Sequence, residues 1–161
     1  MMRQMLSMMC LSLTLLLGGN VAADAADKIG QVKVSSGEVF IVRDGTKIAA
    51  APGVDVFESD QIETGENSAI GMTFSDNSRI SLGPNSSLNL ENYAFNESGK
   101  QDGFDARLKR GSLTAASGQI AKTRPLAMRV LMPTTVLGVK GTEFAVRVSD
   151  PDKKKDPETK G

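Results

Sequence analysis

Pro133-Thr134-Thr135-Val136-Leu137-Gly138-Val139-Lys140-Gly141-Thr142-Glu143-Phe144-Ala145-Val146-Arg147-Val148 is the stretch on which the reading of the whole chain turns. Its second half alternates: Phe144, Val146 and Val148 point one way, Ala145, Arg147 and Ser149 the other. A period of two predicts a strand with one buried face. Its first half reads as a bend punctuated by Gly138 and Gly141, residues that take positive φ or let another backbone come close. Lys140, Thr142 and Glu143 then occupy a polar corner. Two readings of that corner stay open. Lys140 and Glu143 pair with each other or with sheet neighbours to cap it, or with Thr142 they present an interaction site.

Outward from this stretch the pattern stays β. Val32 and Val34 alternate with polar neighbours, and Glu38 to Val42 is a short β-branched run. Asp44-Gly45 predicts a tight hairpin, because both central positions of a type I′ turn need positive φ. Pro52-Gly53 makes the next turn. Ile70, Met72 and Phe74 alternate into Asp76-Asn77, Ile80 and Leu82 alternate out, and Gly83-Pro84-Asn85 turns again. Turns recurring about every 8–12 residues predict a sandwich, barrel or roll. No window carries an amphipathic helical stripe. Residues 96–103 form a polar loop between Tyr93, Phe95 and Phe104, Ala106, Leu108, which reads as a long hairpin and a second candidate partner surface. A faint echo relates Gly30-x-Val32…Gly37-x-Val39 to Gly111-x-Leu113…Gly118-x-Ile120. The expected fold is a single all-β domain of short strands with Gly-rich corners, either a β-roll or twisted β-solenoid, or a β-sandwich.

Three motifs in order resemble the FecR domain, a β-rich module of the bacterial envelope. The family's Gly-Asp-x-Ile-x-Thr-Gly stands here as Ser59-Asp60-Gln61-Ile62-Glu63-Thr64-Gly65, and its Asp-Gly-Ser turn as Asp76-Asn77-Ser78. Its signature end, roughly Thr-Pro-Thr, small residues, then Val-Arg-Gly-Thr, an acid and Phe, stands as Met132-Pro133-Thr134 and Val139-Lys140-Gly141-Thr142-Glu143-Phe144. Lys140 keeps the charge of the usual Arg but lacks its planar five-donor fork. Asn77 is a mild change, since Asn tolerates positive φ, whereas Ser59 for Gly marks a different local backbone. The resemblance covers about Gly30 to Val148. It implies that Asp60, Thr64, Gly65, Asp76, Pro133, Gly138, Gly141 and Phe144 are structural positions. It also implies a relay in which a periplasmic part senses an outer-membrane transporter while a cytoplasmic segment controls a sigma factor. This chain is expected to lack the cytoplasmic and membrane-spanning parts and to act as a stand-alone module.

Residues 1–25 read as a signal peptide: Arg3, then the uncharged run Met5–Leu17, then small residues at Val21-Ala22-Ala23 and Ala23-Asp24-Ala25. Thirteen residues are too few to cross roughly 30 Å of hydrocarbon at 1.5 Å per residue. The one Cys, Cys10, lies within that run, so a chain cut after it has no thiol for a disulfide or metal site. The β domain is expected over 30–148, followed by a charged, disordered tail over 149–161 that has no apolar residue besides prolines.

Nineteen Lys and Arg balance nineteen Asp and Glu, so charge alone steers the chain to neither nucleic acid nor anionic lipid. With no Trp and one Tyr there is little to stack bases on. The absence of His removes His-based triads and most zinc ligation. Gly138-Val-Lys-Gly-Thr is no phosphate loop, and the acidic set Asp55, Glu58, Asp60, Glu63 fits no calcium-loop spacing. No catalytic, metal or cofactor residue is expected. The reading is a non-catalytic, exported, periplasmic or secreted interaction module that binds an envelope protein or glycan as an adaptor or sensor component. The alternatives are a structural piece of a surface β assembly and, more remotely, a carboxylate-based hydrolase.

Overall fold

The computed structural model describes residues 27–96, 101–141 and 143–149. The expected signal peptide, the tail beyond Ser149 and Thr142 lie outside the described residues. Within them the chain is all-β. The strands are β1 (Lys28–Ser36), β2 (Val39–Arg43), β3 (Thr46–Ala49), β4 (Asp55–Phe57), β5 (Gln61–Thr64), β6 (Ala69–Phe74), β7 (Arg79–Leu82) and β8 (Ser87–Ala94). They continue with β9 (Gly103–Ala116), the helix α1 (Gln119–Thr123), β10 (Met128–Met132), β11 (Thr135–Val139) and β12 (Glu143–Val148). All twelve strands join one sheet curled upon itself into a half-barrel.

One arm of that sheet runs β4-β1-β6-β7-β9-β12 and the other β3-β2-β5-β8-β9-β10-β11, with β9 common to both. The first part of β9 pairs with β8 and, in parallel, with β10; the last part pairs with β7 and β12. The strand turns from one arm to the other near Gly111, at φ +90°, where an added Cβ would lie 2.4 Å from the Cα of Ser86. Only glycine meets both demands, a positive φ and a backbone pressed against it.

The alternation read from the sequence supplies the core. Ile70, Met72, Phe74, Ile80, Leu82 and Leu113 from one arm meet Ile41, Ile62, Leu88, Leu90, Phe104 and Leu108 from the other, all buried in a single cluster. Phe74 and Phe104 stand 4.7 Å apart between ring centroids, and Tyr93 meets Phe104 edge-on at 5.1 Å. Asp44 and Gly45 have φ of 48° and 77°, as the hairpin between β2 and β3 requires. The β8–β9 hairpin forms as read, with Tyr93 opposite Phe104, although residues 97–100 of its loop are outside the described set.

The glycine echo corresponds to a local pseudo-twofold. β1 and the end of β9 flank the β6–β7 hairpin on opposite sides, with Val32 opposite Met72 and Leu113 opposite Leu82. The serine just before each inner strand accepts a bond from the corner beyond: Ser68 Oγ from the Glu38 N–H (2.8 Å), Ser78 Oγ from the Gly118 N–H (3.0 Å). The symmetry then stops, because the first segment continues into β2 and the second into α1. That helix was not legible: five residues are too few to show a period of 3.6.

The sequence reading of the signature stretch needs one correction. Its first half is a strand, β11, hydrogen-bonded along its length to β10, and not a bend. Gly138 sits within that strand, where the side chain of Leu126 covers it: an added Cβ would lie 3.0 Å from a Leu126 methyl. Only Gly141 turns the chain, at φ +65°.

Candidate functional site

The motif residues divide into an inner and an outer set. Asp60 is fully buried where the chain enters β5. Arg43, at the end of β2, grips it with two bonds, Nε to Oδ1 at 2.7 Å and Nη2 to Oδ2 at 2.8 Å, and Oδ2 also accepts the Phe57 N–H at 2.9 Å. The guanidinium lies 4.3 Å from the centroid of the Phe57 ring. Its hydrogen bonds to Asp60 outweigh partial desolvation and raise its affinity for its proton. The fork-to-fork pair and the added N–H give both oxygens of the buried carboxylate a partner. Arg43 was missed from the sequence, since nothing in the run Val-Phe-Ile-Val-Arg announces a partner 17 residues away.

Thr64 and Asp76 serve similar ends. Thr64 Oγ1 donates to the Gly83 carbonyl at 2.7 Å and accepts the Ser86 N–H at 2.8 Å, tying β5 to the turn before β8. The Gly65 N–H bonds the Glu38 carbonyl at 2.8 Å. Asp76 is fully buried in the β6–β7 turn. Its carboxylate accepts the Ser78 N–H (3.0 Å), the Ser78 hydroxyl (2.6 Å) and the Ile120 N–H at the start of α1 (3.3 Å). The Tyr93 hydroxyl accepts the Asp76 N–H at 2.9 Å and lies 3.3 Å from Asp76 Oδ1. Burial, and then the Asp76 charge, hold the Tyr93 phenol well above the usual tyrosine range. Ser59, where the family has Gly, takes φ +69° without a glycine's freedom.

The outer set lies at the β10–β11 hairpin and the corner after it. Pro133 is exposed in the hairpin turn, and Lys140 and Gly141 are exposed in the corner leading to β12. Glu143 opens β12 opposite Ala116 with its side chain exposed, and Phe144 behind it turns toward the core. Thr142 is outside the described residues. The corner carries the chain from β11 at one end of the curled sheet to β12 at the other. Among the described residues no ion pair links Lys140 and Glu143. Nor do Pro133 and Lys140 come together, being separated by β11, roughly 16 Å of strand at 3.3 Å per residue. Pro133 instead lines a groove of about 410 Å³ with Met132, Lys109, Arg147 and Val148.

Two exposed apolar residues, Val136 on β11 and Leu126 beside its end, carry no sequence signal. Val136 and Leu126 are 58% and 59% exposed, two of three large apolar side chains so presented among the described residues. Leu126 has φ +69°, a conformation that costs a branched residue roughly 1–2 kcal/mol. Its N–H bonds the Val139 carbonyl at 3.1 Å, which holds it over Gly138. No periodicity marks such a residue. The acidic set near β4 and β5 disperses: Asp55 pairs with Lys28 at 2.6 Å, Asp60 with Arg43, Glu63 with Lys47 at 3.2 Å, and Glu58 accepts the Tyr93 N–H at 3.3 Å. No group of three or more acidic residues among the described residues is placed to hold a metal ion, and no helix there is long and apolar enough to cross a membrane.

Compared with known proteins, the chain matches no curated protein and no solved structure. The family model described as FecR protein matches residues 60–155. The match takes in Asp60, Thr64, Asp76 and the whole signature hairpin, and leaves out β1 to β4, which supply Arg43. It covers more than half of the 161 residues, and the chain belongs to the FecR family.

Proposed function

We propose that this chain is an exported, non-catalytic interaction module of the bacterial envelope, an adaptor or sensor component that binds a protein or glycan through the corner at Lys140. The observation that carries this is the division of the family motifs. Asp60, Thr64 and Asp76 use their polar atoms on internal hydrogen bonds. Lys140 and Glu143 are left exposed, and Leu126, exposed too, is bonded to Val139, the residue before Lys140. Exposed charge next to exposed apolar surface is what a partner-binding rim presents. On this reading residues 1–25 direct export, 30–148 are the binding domain, and 149–161 trail from it. The FecR resemblance supplies the envelope setting.

The test is capture. A photo-crosslinking residue replaces Lys140 or, in the β8–β9 loop, Asn96, and the variants are irradiated in envelope extract. One dominant adduct from position 140 and none from 96 is the expected result. Adducts from 96 alone move the surface to the loop, and none from either removes the adaptor reading. A second reading, a structural piece of a surface assembly, draws on the open strand edges at both ends of the sheet.

A further inference from the structure

We propose that the free edge of β12 is a dimerisation edge whose partner is β12 of a second copy of this chain, antiparallel and centred on Ala145. β12 pairs with β9 along one side, and among the described residues no strand pairs with its other side. Among the described residues the curled sheet has four such edges. β4 has three residues and its pairing with β1 is irregular. β3 has four, with Lys47 drawn over the Phe40 ring and toward Glu63. β11 has five and carries no charge. β12 is the longest, six residues in unbroken register from Glu143 opposite Ala116 to Val148 opposite Gly111. It has no proline, bulge or inward charge, the devices that keep an edge from pairing with another chain.

The side chains fix the register. Phe144, Val146 and Val148 are half-buried on the inner face, and Glu143, Ala145 and Arg147 are exposed on the outer. A two-fold centred between residues would set inner side chains against outer ones, so the centre must fall on a residue. Centring on Glu143 or Arg147 opposes like charges. Centring on Phe144 or Val146 leaves both charges unmatched. Centring on Ala145 sets Glu143 of each copy opposite Arg147 of the other, twice, and Phe144 opposite Val146 on the inner face. Neither charge has an ion pair among the described residues of its own chain. Opposite charges directly across an antiparallel pair stabilise it, and like charges oppose it. The interface is isologous, as a two-fold dimer requires.

This pairing draws Glu143 from the Lys140 corner but does not rest on what that corner binds. A chain that dimerises but captures nothing from position 140 fails only the adaptor reading. The test is sedimentation of the chain expressed from its complete reading frame, over a concentration series. A monomer–dimer equilibrium is expected. Glu143→Arg and Arg147→Glu should each raise the dissociation constant about tenfold or more, and the double reversal should bring it back near the starting value. In a Cys10→Ser background, Ala145→Cys should crosslink to its own copy on oxidation, because directly opposed residues lie about 4.5–5.5 Å apart between Cα atoms, within disulfide reach. Glu143→Cys alone should not. A chain that stays monomeric throughout, single reversals without effect, or equal crosslinking from both cysteines would overturn the proposal.

Discussion

The turns at Asn77 and Gly141 have almost the same backbone angle, φ 64° and 65°, and opposite surroundings. Asp76, beside the first, is fully buried and receives bonds from Ser78 and Ile120 while its N–H reaches the Tyr93 hydroxyl. Lys140, beside the second, is exposed and has no ion partner among the described residues. Turn chemistry therefore sets how the chain bends but not whether the bend ends up inside. What separates the two is a second element: Gly118 and α1 land on the first turn, and among the described residues no element covers the second.

The same substitution at the two places should break the comparison open most widely. In Gly118→Ala the new Cβ would lie 2.2 Å from the Asp76 carbonyl oxygen and 2.4 Å from the Ser78 nitrogen, both backbone atoms. Neither yields by rotating, so a loss of about 3 kcal/mol or more is expected in denaturant unfolding. Tyr93→Phe should cost about 1–3 kcal/mol, by leaving the Asp76 N–H without its partner. It should also change the alkaline limb. The folded phenol holds its proton more tightly than the unfolded one, first through burial and then through the Asp76 charge. Its stabilisation is fully present below about pH 10 and is lost as pH rises beyond that. The Phe variant should lack this alkaline decline. Tyr93 is the chain's one tyrosine, so its phenolate absorbance reports the group alone. Ionisation near the ordinary value would contradict its placement against Asp76. Gly141→Ala should have the smallest effect, about 1 kcal/mol, since no atom lies within 4 Å of the added Cβ and only the positive φ resists it. A loss at Gly141 as large as that at Gly118 would mean that the corner is covered.

Much of this fold was legible because its determinants are local. The Asp44-Gly45 hairpin, the alternation of Ile70, Met72 and Phe74, and the half-buried face of Phe144, Val146 and Val148 follow from neighbours along the chain. The course of β11 was misread because Gly138 signals a turn, whereas here the missing side chain makes room for Leu126, 12 residues earlier. Arg43 and Tyr93 were invisible for a related reason: each acts on an acid 17 residues away in sequence, and neither lies in a recognisable motif. At the candidate site the charges of Lys140 and Glu143 could be read directly. The exposed Leu126 over Gly138 could not, since a single strained leucine leaves no pattern.

β9 also governs the order in which the domain can form. Before residues 103–116 are made, β1 to β8 can assemble only as two separate sheets, β3-β2-β5-β8 and β4-β1-β6-β7. Each then ends in an unpaired strand, β8 in one and β7 in the other, and unpaired strands are where nascent chains stick together. The arrival of β9 closes both edges at once, since one continuous strand lines the two of them. Completion of the fold is thereby deferred to the later part of the chain, and a polypeptide stopped short of Gly103 would carry two adhesive edges in place of none at that seam.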